Sequence, residues 1–181
     1  MKKELWDSSF ELAKTLFPFE EWIPTEPNIW VAKSRLSQEK KEPKKWEKEM
    51  SQVRILTSRG NIAYFLPEKY TKGEKGCKTA DLVLDGEVVE IKTISGGRNP
   101  LGSQFKYGYN QGAVLLQKCK IAKKHSVFVH LLSDIPIKSV KAKIAGELKY
   151  RFDAGRFICF YEKTKELYIW AYDELRAIIG T

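Results

Sequence analysis

Residues 79–93, TADLVLDGEVVEIKT, decide how the rest of the chain is read. Asp85-Gly86 lies between two apolar runs, and a two-residue type I′ loop needs positive φ at both positions, which Asp and Gly tolerate. With those two residues as the loop, Leu84 faces Glu87, and counting outward sets Asp81 opposite Glu90. Side chains alternate along a strand, so Asp81, Val83, Val88, Glu90 and Lys92 share one face, while Leu82, Leu84, Val89 and Ile91 share the other. The second face is an ordinary core surface. On the first, two carboxylates sit across a strand pair, about 5 Å apart at their Cβ atoms, with an ammonium beside them. Like charges so placed destabilise a hairpin unless a cation compensates them. A divalent ion that prefers hard oxygen ligands, such as Mg²⁺, would do so. So would Lys92 on a solvated strand edge, and the hairpin alone leaves both readings open.

Whole-chain composition bounds the choice. A chain of 181 residues, 43% hydrophobic and 30% charged, is long enough for one good core and belongs to the ordinary soluble globular class. Its formal charge of +9 and pI near 9.3 raise the expectation of a polyanionic partner. Residues 91–151 hold twelve Lys or Arg against two Asp or Glu, and residues 31–60 hold nine against four, while the remaining segments are slightly acidic. Two basic blocks therefore flank the hairpin in sequence and suit a basic rim around an acidic centre, or else lysine-rich helix faces turned to solvent. Cys77, Cys119 and Cys159 are widely spaced and match no CxxC pattern, which points to reduced thiols in a cytoplasm-like compartment. His125 and His130 have no acidic or cysteine partner nearby in sequence, and His130 falls in an apolar run. Core or surface roles suit them, so histidine-based catalysis has little material. Nothing resembles a secretory signal or reaches the length of a membrane span, so a soluble protein without a membrane partner is expected, whether whole or a piece of something larger.

Along the chain, residues 2–17 carry a helical stripe ended by Pro18. Prolines at 18, 24 and 27 make the next stretch an extended connector whose Trp22 and Trp30 pack onto the body. Residues 37–58 read as helix, restarting at Pro43 and ending before Gly60, with Trp46, Met50, Val53 and Leu56 or Thr57 as its apolar stripe. Glu49 lies in that stripe, where a carboxylate is costly unless a cation or donor meets it. A strand over 61–66, a polar loop over 72–78 and the hairpin follow. Residues 93–104 read as a glycine-rich mobile loop in which Arg98 and Asn99 could touch phosphate. A helix from about Leu101 to Lys123 is interrupted by Gly108 and Gly112, and it buries Leu101, Phe105, Leu115 and Cys119. Small glycines on that face would let it approach the sheet. Gln104 and Gln111, seven residues apart, share a polar face with Tyr107. The alternative ends this helix near Gly112 and makes 113–117 a strand. A strand over 126–132, a helix over 136–150, a hairpin around Lys163-Thr164-Lys165 and a short helix over 172–179 complete the chain. The expected fold is one α/β domain with a mixed sheet of five or six strands flanked by helices. Residues 1–36 form an extension packed on a body of 37–181.

A helix with an inward acid, a strand, Asp81, then Glu90-Ile91-Lys92 across a hairpin, then a glutamine-bearing helix: this resembles the PD-(D/E)xK nuclease superfamily over roughly residues 43–132. More narrowly, residues 78–111, with DGEVVEIKT and the later QFxxGxxQG, are similar to the nuclease toxin domains at the ends of contact-dependent inhibition proteins, some of which are thought to cleave tRNA. Ala80 stands where the superfamily name has proline. The resemblance implies a restriction-endonuclease-like fold and a Mg²⁺- or Mn²⁺-dependent endonuclease acting on tRNA or DNA. It implies metal ligation by Asp81, Glu90 and the Ile91 carbonyl. Lys92 would orient the attacking water, Glu49 would hold a metal-bound water, and Gln111 would steady the site. Arg98, Lys106, Lys118 and Lys120 are the expected phosphate contacts. The same resemblance implies a cytoplasmic site of action, delivery into a target cell if this is a toxin domain, and an inhibitor (immunity) protein as partner. A non-catalytic basic nucleic-acid-binding protein, or a structural or interaction component of a phage or mobile element, is the alternative.

Overall fold

The computed structural model describes residues 2–70 and 77–179, and of residues 2–7, 69–70 and 77–78 it describes the backbone elements alone. The chain begins with α1 (Lys2–Leu16), β1 (Trp22–Glu26) and β2 (Ile29–Ala32), then a 3-10 turn (Lys33–Arg35), α2 (Ser37–Lys41) and α3 (Pro43–Thr57). It continues through β3 (Ala63–Phe65), β4 (Lys69–Tyr70), β5 (Cys77–Lys78), β6 (Leu82–Leu84) and β7 (Glu87–Ile94). After these come α4 (Arg98–Lys118), β8 (His125–Leu131), α5 (Ile137–Leu148), β9 (Arg156–Tyr161), β10 (Leu167–Ala171) and α6 (Tyr172–Ala177). Eight strands form one mixed sheet in the order β1-β2-β3-β6-β7-β8-β9-β10, with β4 and β5 paired separately. The fold is the expected α/β architecture with helices against a mixed sheet. Most of the polar loop expected over 72–78 lies outside the described residues.

The sheet has more strands than expected because the proline-containing connector pairs with itself. β1 and β2 are antiparallel, with a register shift between Pro24 and Glu26, and β2 runs parallel to β3. Pro24 is tolerable there because β1 is an edge strand, where a missing N–H breaks no ladder on the solvent side. The chain divides into two compact units, Met1–Val88 and Val89–Thr181.

In the first unit, α1 lies on β3 and β6, and α3 on β2 and β3. Tyr64 is fully buried and gathers the aromatic side chains, with Trp22 edge-on at 5.4 Å, Trp30 stacked at 5.9 Å and Phe10 at 6.0 Å. Both tryptophans thus pack as their setting predicts. Along α3, Trp46, Met50, Val53, Leu56 and Thr57 are buried, and Gly60 ends the turn after it at φ 87°. The loop between β6 and β7 has φ 49° at Asp85 and 79° at Gly86, the positive pair a type I′ turn requires. Gly86 is needed twice, since a Cβ there would also come within 2.9 Å of Ser8 Oγ. Leu82, Val83, Leu84 and Val88 are all fully buried, so the hairpin is covered on both faces and the solvated-edge reading falls.

In the second unit, α4 runs unbroken for 21 residues and no strand forms over 113–117. It starts at Arg98, so Arg98 and Asn99 lie in its first turn and not in a mobile loop. Pro100 fits that turn because the first helical N–H groups have no intrahelical acceptor. Leu101, Phe105 and Tyr109 of α4 pack with Val127 and Val129 of β8, Val140 and Ile144 of α5, Phe157 of β9 and Tyr172 and Leu175 of α6 in one cluster. β8 runs parallel to β9, and β9 antiparallel to β10 across a turn in which Lys165 has φ 60°. Cys119 and Cys159 are free, and no described helix is long and apolar enough to cross a membrane.

Candidate active site

Glu90 and Lys92 stand two residues apart on β7, so alternation turns both to one face. Glu90 is 3% exposed. A carboxylate removed from water needs a partner, and Lys92 Nζ donates to its Oε1. The same ammonium donates to Gln111 Oε1 at 2.9 Å and lies 4.8 Å from the Tyr107 ring centroid. Gln111 and Tyr107 share the polar face of α4 that their spacing predicts, whereas Gln104 stays exposed and takes no part. An ammonium has three donors; with two spent on Glu90 and Gln111, one remains among the described residues for a phosphate oxygen or a water.

Gly108 explains how α4 comes so close. A Cβ at this position would lie 3.2 Å from Glu90 Cγ, 3.2 Å from Val127 Cγ1 and 3.4 Å from Lys92 Cε, so a larger side chain would have to push the pair aside. The close approach expected of a glycine on this face is therefore made over the acid–base pair itself.

In the first unit, the costly Glu49 meets the cation it needs: Arg35 Nη2 donates to its Oε2 at 2.9 Å. Arg35, 4% exposed, also donates from Nη1 to the Leu66 carbonyl at 2.7 Å, with its guanidinium 3.7 Å from the Phe65 ring centroid. Leu66 N–H in turn donates to the Asp81 carbonyl at 2.9 Å. Glu49, Arg35, Leu66 and Asp81 are thus linked in one chain of contacts, and Asp81 itself is half-buried immediately before β6. Arg35 escapes sequence reasoning because its acid lies 14 positions away and it sits in a short turn. Beside it is a cleft of about 450 Å³ lined by polar groups that include Ser34, Arg35, Gln38, Lys41 and Glu68. The Lys45 ammonium beside Glu68 holds that carboxyl below its usual range.

The remaining expected contacts are dispersed. Ile91 is half-buried on β7; Arg98 is exposed at the start of α4, Lys106 on its middle, Lys118 at its end and Lys120 just beyond. Both histidines have acidic partners distant in sequence. His125 Nε2 lies 3.0 Å from Asp153 Oδ2, and His130 Nε2 lies 2.6 Å from Glu162 Oε2. His125 is buried as a core residue, edge-on to Tyr109 at 4.5 Å. Among the described residues no group of three or more His, Cys, Asp or Glu side chains is placed to hold a metal ion. Within the second unit, the Glu90 carboxylate and the Ile91 carbonyl are hard oxygen donors of the kind Mg²⁺ takes, an ion that keeps several waters and is usually held by one or two carboxylates. Compared with known proteins, the chain matches no family model, no curated protein and no solved structure.

Proposed function

We propose that this protein is a metal-dependent endonuclease that hydrolyses phosphodiester bonds in tRNA or DNA. The observation that carries the reading is the buried Glu90–Lys92–Gln111 cluster on an E-I-K strand, beneath a helix brought close by Gly108. A buried acid–ammonium pair offers no general gain in stability over an apolar one, so its presence asks for a chemical reason. The two-residue loop supports the part given to Asp81, because the register counted from it sets Asp81 level with Glu90. Asp81, Glu90 and the Ile91 carbonyl are three hard oxygen donors and would hold Mg²⁺, with Mn²⁺ as a substitute. When bound, the ion would lower the pKa of a water and polarise the scissile phosphate.

The chain's own residues do the rest. Lys92, steadied by Gln111, directs its remaining donor at the water or a non-bridging phosphate oxygen and stabilises the charge that grows there. The water oxygen bonds to phosphorus as the bond to the leaving sugar oxygen breaks; the water's proton passes to solvent, and the leaving oxygen takes a proton from solvent to depart as a hydroxyl. Glu49, one oxygen of which is taken by Arg35, would orient a water with the other. Arg98 and Lys106 would meet phosphates along α4. The proposed setting is the cytoplasm, of the parent cell or of a target cell, with an inhibitor protein to protect the host.

The test incubates tRNA and DNA with Mg²⁺ or with EDTA, using wild type, Asp81→Ala, Glu90→Gln and Lys92→Ala. Glu90→Gln retains an acceptor for Lys92 and so keeps the fold. Each variant should lose at least about a hundredfold in cleavage rate, the range for removing one preorganised charge-stabilising group. Cleavage by Glu90→Gln at the wild-type rate would end the proposal. Binding that persists in EDTA with no product under Mg²⁺ would favour a non-catalytic binder, a reading the exposed lysines after α4 also suit.

A further inference from the structure

One end of the second unit carries an aromatic and basic surface that the catalytic reading does not use. Tyr150 is 77% exposed and Phe152 is 82% exposed, two large rings two residues apart. They are not loose. Arg151 N–H donates to the Leu148 carbonyl at 3.0 Å, Asp153 N–H to Tyr109 Oη at 3.1 Å, and Arg176 to the carbonyls of Arg151 and Asp153 at 2.7 and 2.6 Å. A backbone anchored at both sides of Phe152 holds the rings outward, so their exposure is built in. Large apolar groups left in water by a well-fixed loop mark an interaction surface.

The neighbouring loop supplies charge. His125 N–H donates to the Ala154 carbonyl at 3.2 Å, and Gly155 passes so close to the His125 carbonyl that a Cβ would overlap it at 1.8 Å. This backbone contact brings residues 118–124 beside residues 149–155. Lys118, Lys120, Lys123 and Lys124 are exposed on the first, and Lys149 on the second with its ammonium 5.3 Å from the Tyr150 ring centroid. These are five exposed lysines; Arg151 between the rings is turned to Glu147, and the acid that follows, Asp153, is engaged by His125. Lys118 is two helical turns beyond Gln111 on the same side of α4, about 10 Å along the axis. The surface therefore continues the polar stripe that meets Lys92.

We propose that this end of the unit grips an unpaired stretch of RNA, with Tyr150 and Phe152 stacked on bases and the lysines on the flanking phosphates. Exposed rings among cations fit a single strand, whose bases present π-faces that a duplex conceals. No helix or two-stranded ribbon is offered at this loop pair to enter a DNA groove. RNA is preferred because its loops, bulges and ends hold bases already unstacked, whereas duplex DNA must first be opened. The inference rests on the reading of the protein as one that acts on nucleic acid, and it names the form of substrate held.

The test is fluorescence anisotropy in EDTA, where cleavage is silent, with a labelled single-stranded RNA oligonucleotide, DNA of the same sequence and a DNA duplex. Tyr150→Ala with Phe152→Ala should bind the RNA at least about tenfold more weakly, given what base stacking contributes per ring. Its salt dependence should be unchanged, and its thermal midpoint too, since both rings are exposed. Lys123→Ala with Lys124→Ala should instead flatten the plot of log K against log salt by about 1.4, near 0.7 for each phosphate no longer neutralised. RNA binding by the aromatic variant equal to wild type, or tighter wild-type binding to the duplex or the DNA strand than to the RNA, overturns the proposal. Mg²⁺-dependent cleavage would survive that result, whereas a wild type that neither binds nor cuts any nucleic acid would remove both readings.

Discussion

Each unit has an ion pair withdrawn from water, and the two are built differently. In the first, Arg35 spends Nη2 on Glu49, Nη1 on the Leu66 carbonyl and its flat face on Phe65. In the second, Lys92 places one compact charge between Glu90 and Gln111 and retains a donor. A guanidinium is a rigid fork that stays protonated, so it suits holding backbone in place. An ammonium on a flexible stem can turn toward a new acceptor and can give up its proton, so it suits chemistry. Burial alone does not separate a structural pair from a working one; what distinguishes them is what the cation holds, a main-chain carbonyl beside its acid in the first unit and side chains alone in the second.

The sharpest way to break that contrast is Arg35→Ala. It strands the Glu49 carboxylate, leaves the Leu66 carbonyl without its donor and opens the face of Phe65. Removing one partner of a buried pair costs roughly 3–5 kcal/mol, which is most of the stability of a marginal domain. A urea midpoint close to wild type would show that the pair is ornamental. Because Leu66 also donates to the Asp81 carbonyl, the same variant should disturb Asp81.

Swapping both members of each pair for apolar residues asks the question more finely. Glu90→Leu with Lys92→Met removes two desolvated charges and leaves only Gln111, which is half-buried and can turn to water. Such replacements are commonly neutral or stabilising by about 1–4 kcal/mol. Cleavage should vanish while the urea midpoint rises, as expected where stability is given up for a working group. Arg35→Met with Glu49→Leu should go the other way, because the Leu66 carbonyl stays buried without its donor at a cost of about 1–3 kcal/mol. Equal midpoint shifts of one sign at the two places would refute the distinction.

What the sequence reveals and what it conceals follow the same line between local and distant partners. Asp85-Gly86 announces its turn because the positive φ is a property of those two residues, and Glu90 with Lys92 is legible because i and i+2 share a strand face. Gln111 shares its face with Gln104 in sequence, and only the position of α4 brings one of them to Lys92. Gly108 and Gly112 read both as interruptions of a helix and as places for close approach; the helix is unbroken and the close approach is made, to Glu90 and His125, where packing outweighs a helix propensity loss of about 1 kcal/mol each. The β1–β2 pairing is hidden because prolines argue against strands, and only the edge position of β1 makes Pro24 harmless. Arg35 and Glu49 are 14 residues apart, and His125 and Asp153 are 28 apart. No periodicity links such pairs, so the acids of both histidines and the cation of Glu49 could come only from the structure.

The His125–Asp153 pair gives the contrast its mild end, since His125 is buried while the Asp153 side chain is 57% exposed. The hydrogen bond from His125 holds the Asp153 carboxyl below its ordinary value of 3.8. A depressed folded-state value means that the pair's contribution is fully present above pH 3.8 and is lost as pH falls through the lower, folded value. Water screens the exposed carboxylate, so the contribution is under about 1 kcal/mol. Asp153→Asn should therefore be slightly less stable than wild type at pH 6, and the gap should narrow as the pH falls below 3.8, as read from the urea midpoints of the two proteins. A gap that stays constant as the pH falls through the acid range would mean that the pair does not act through the charge of Asp153.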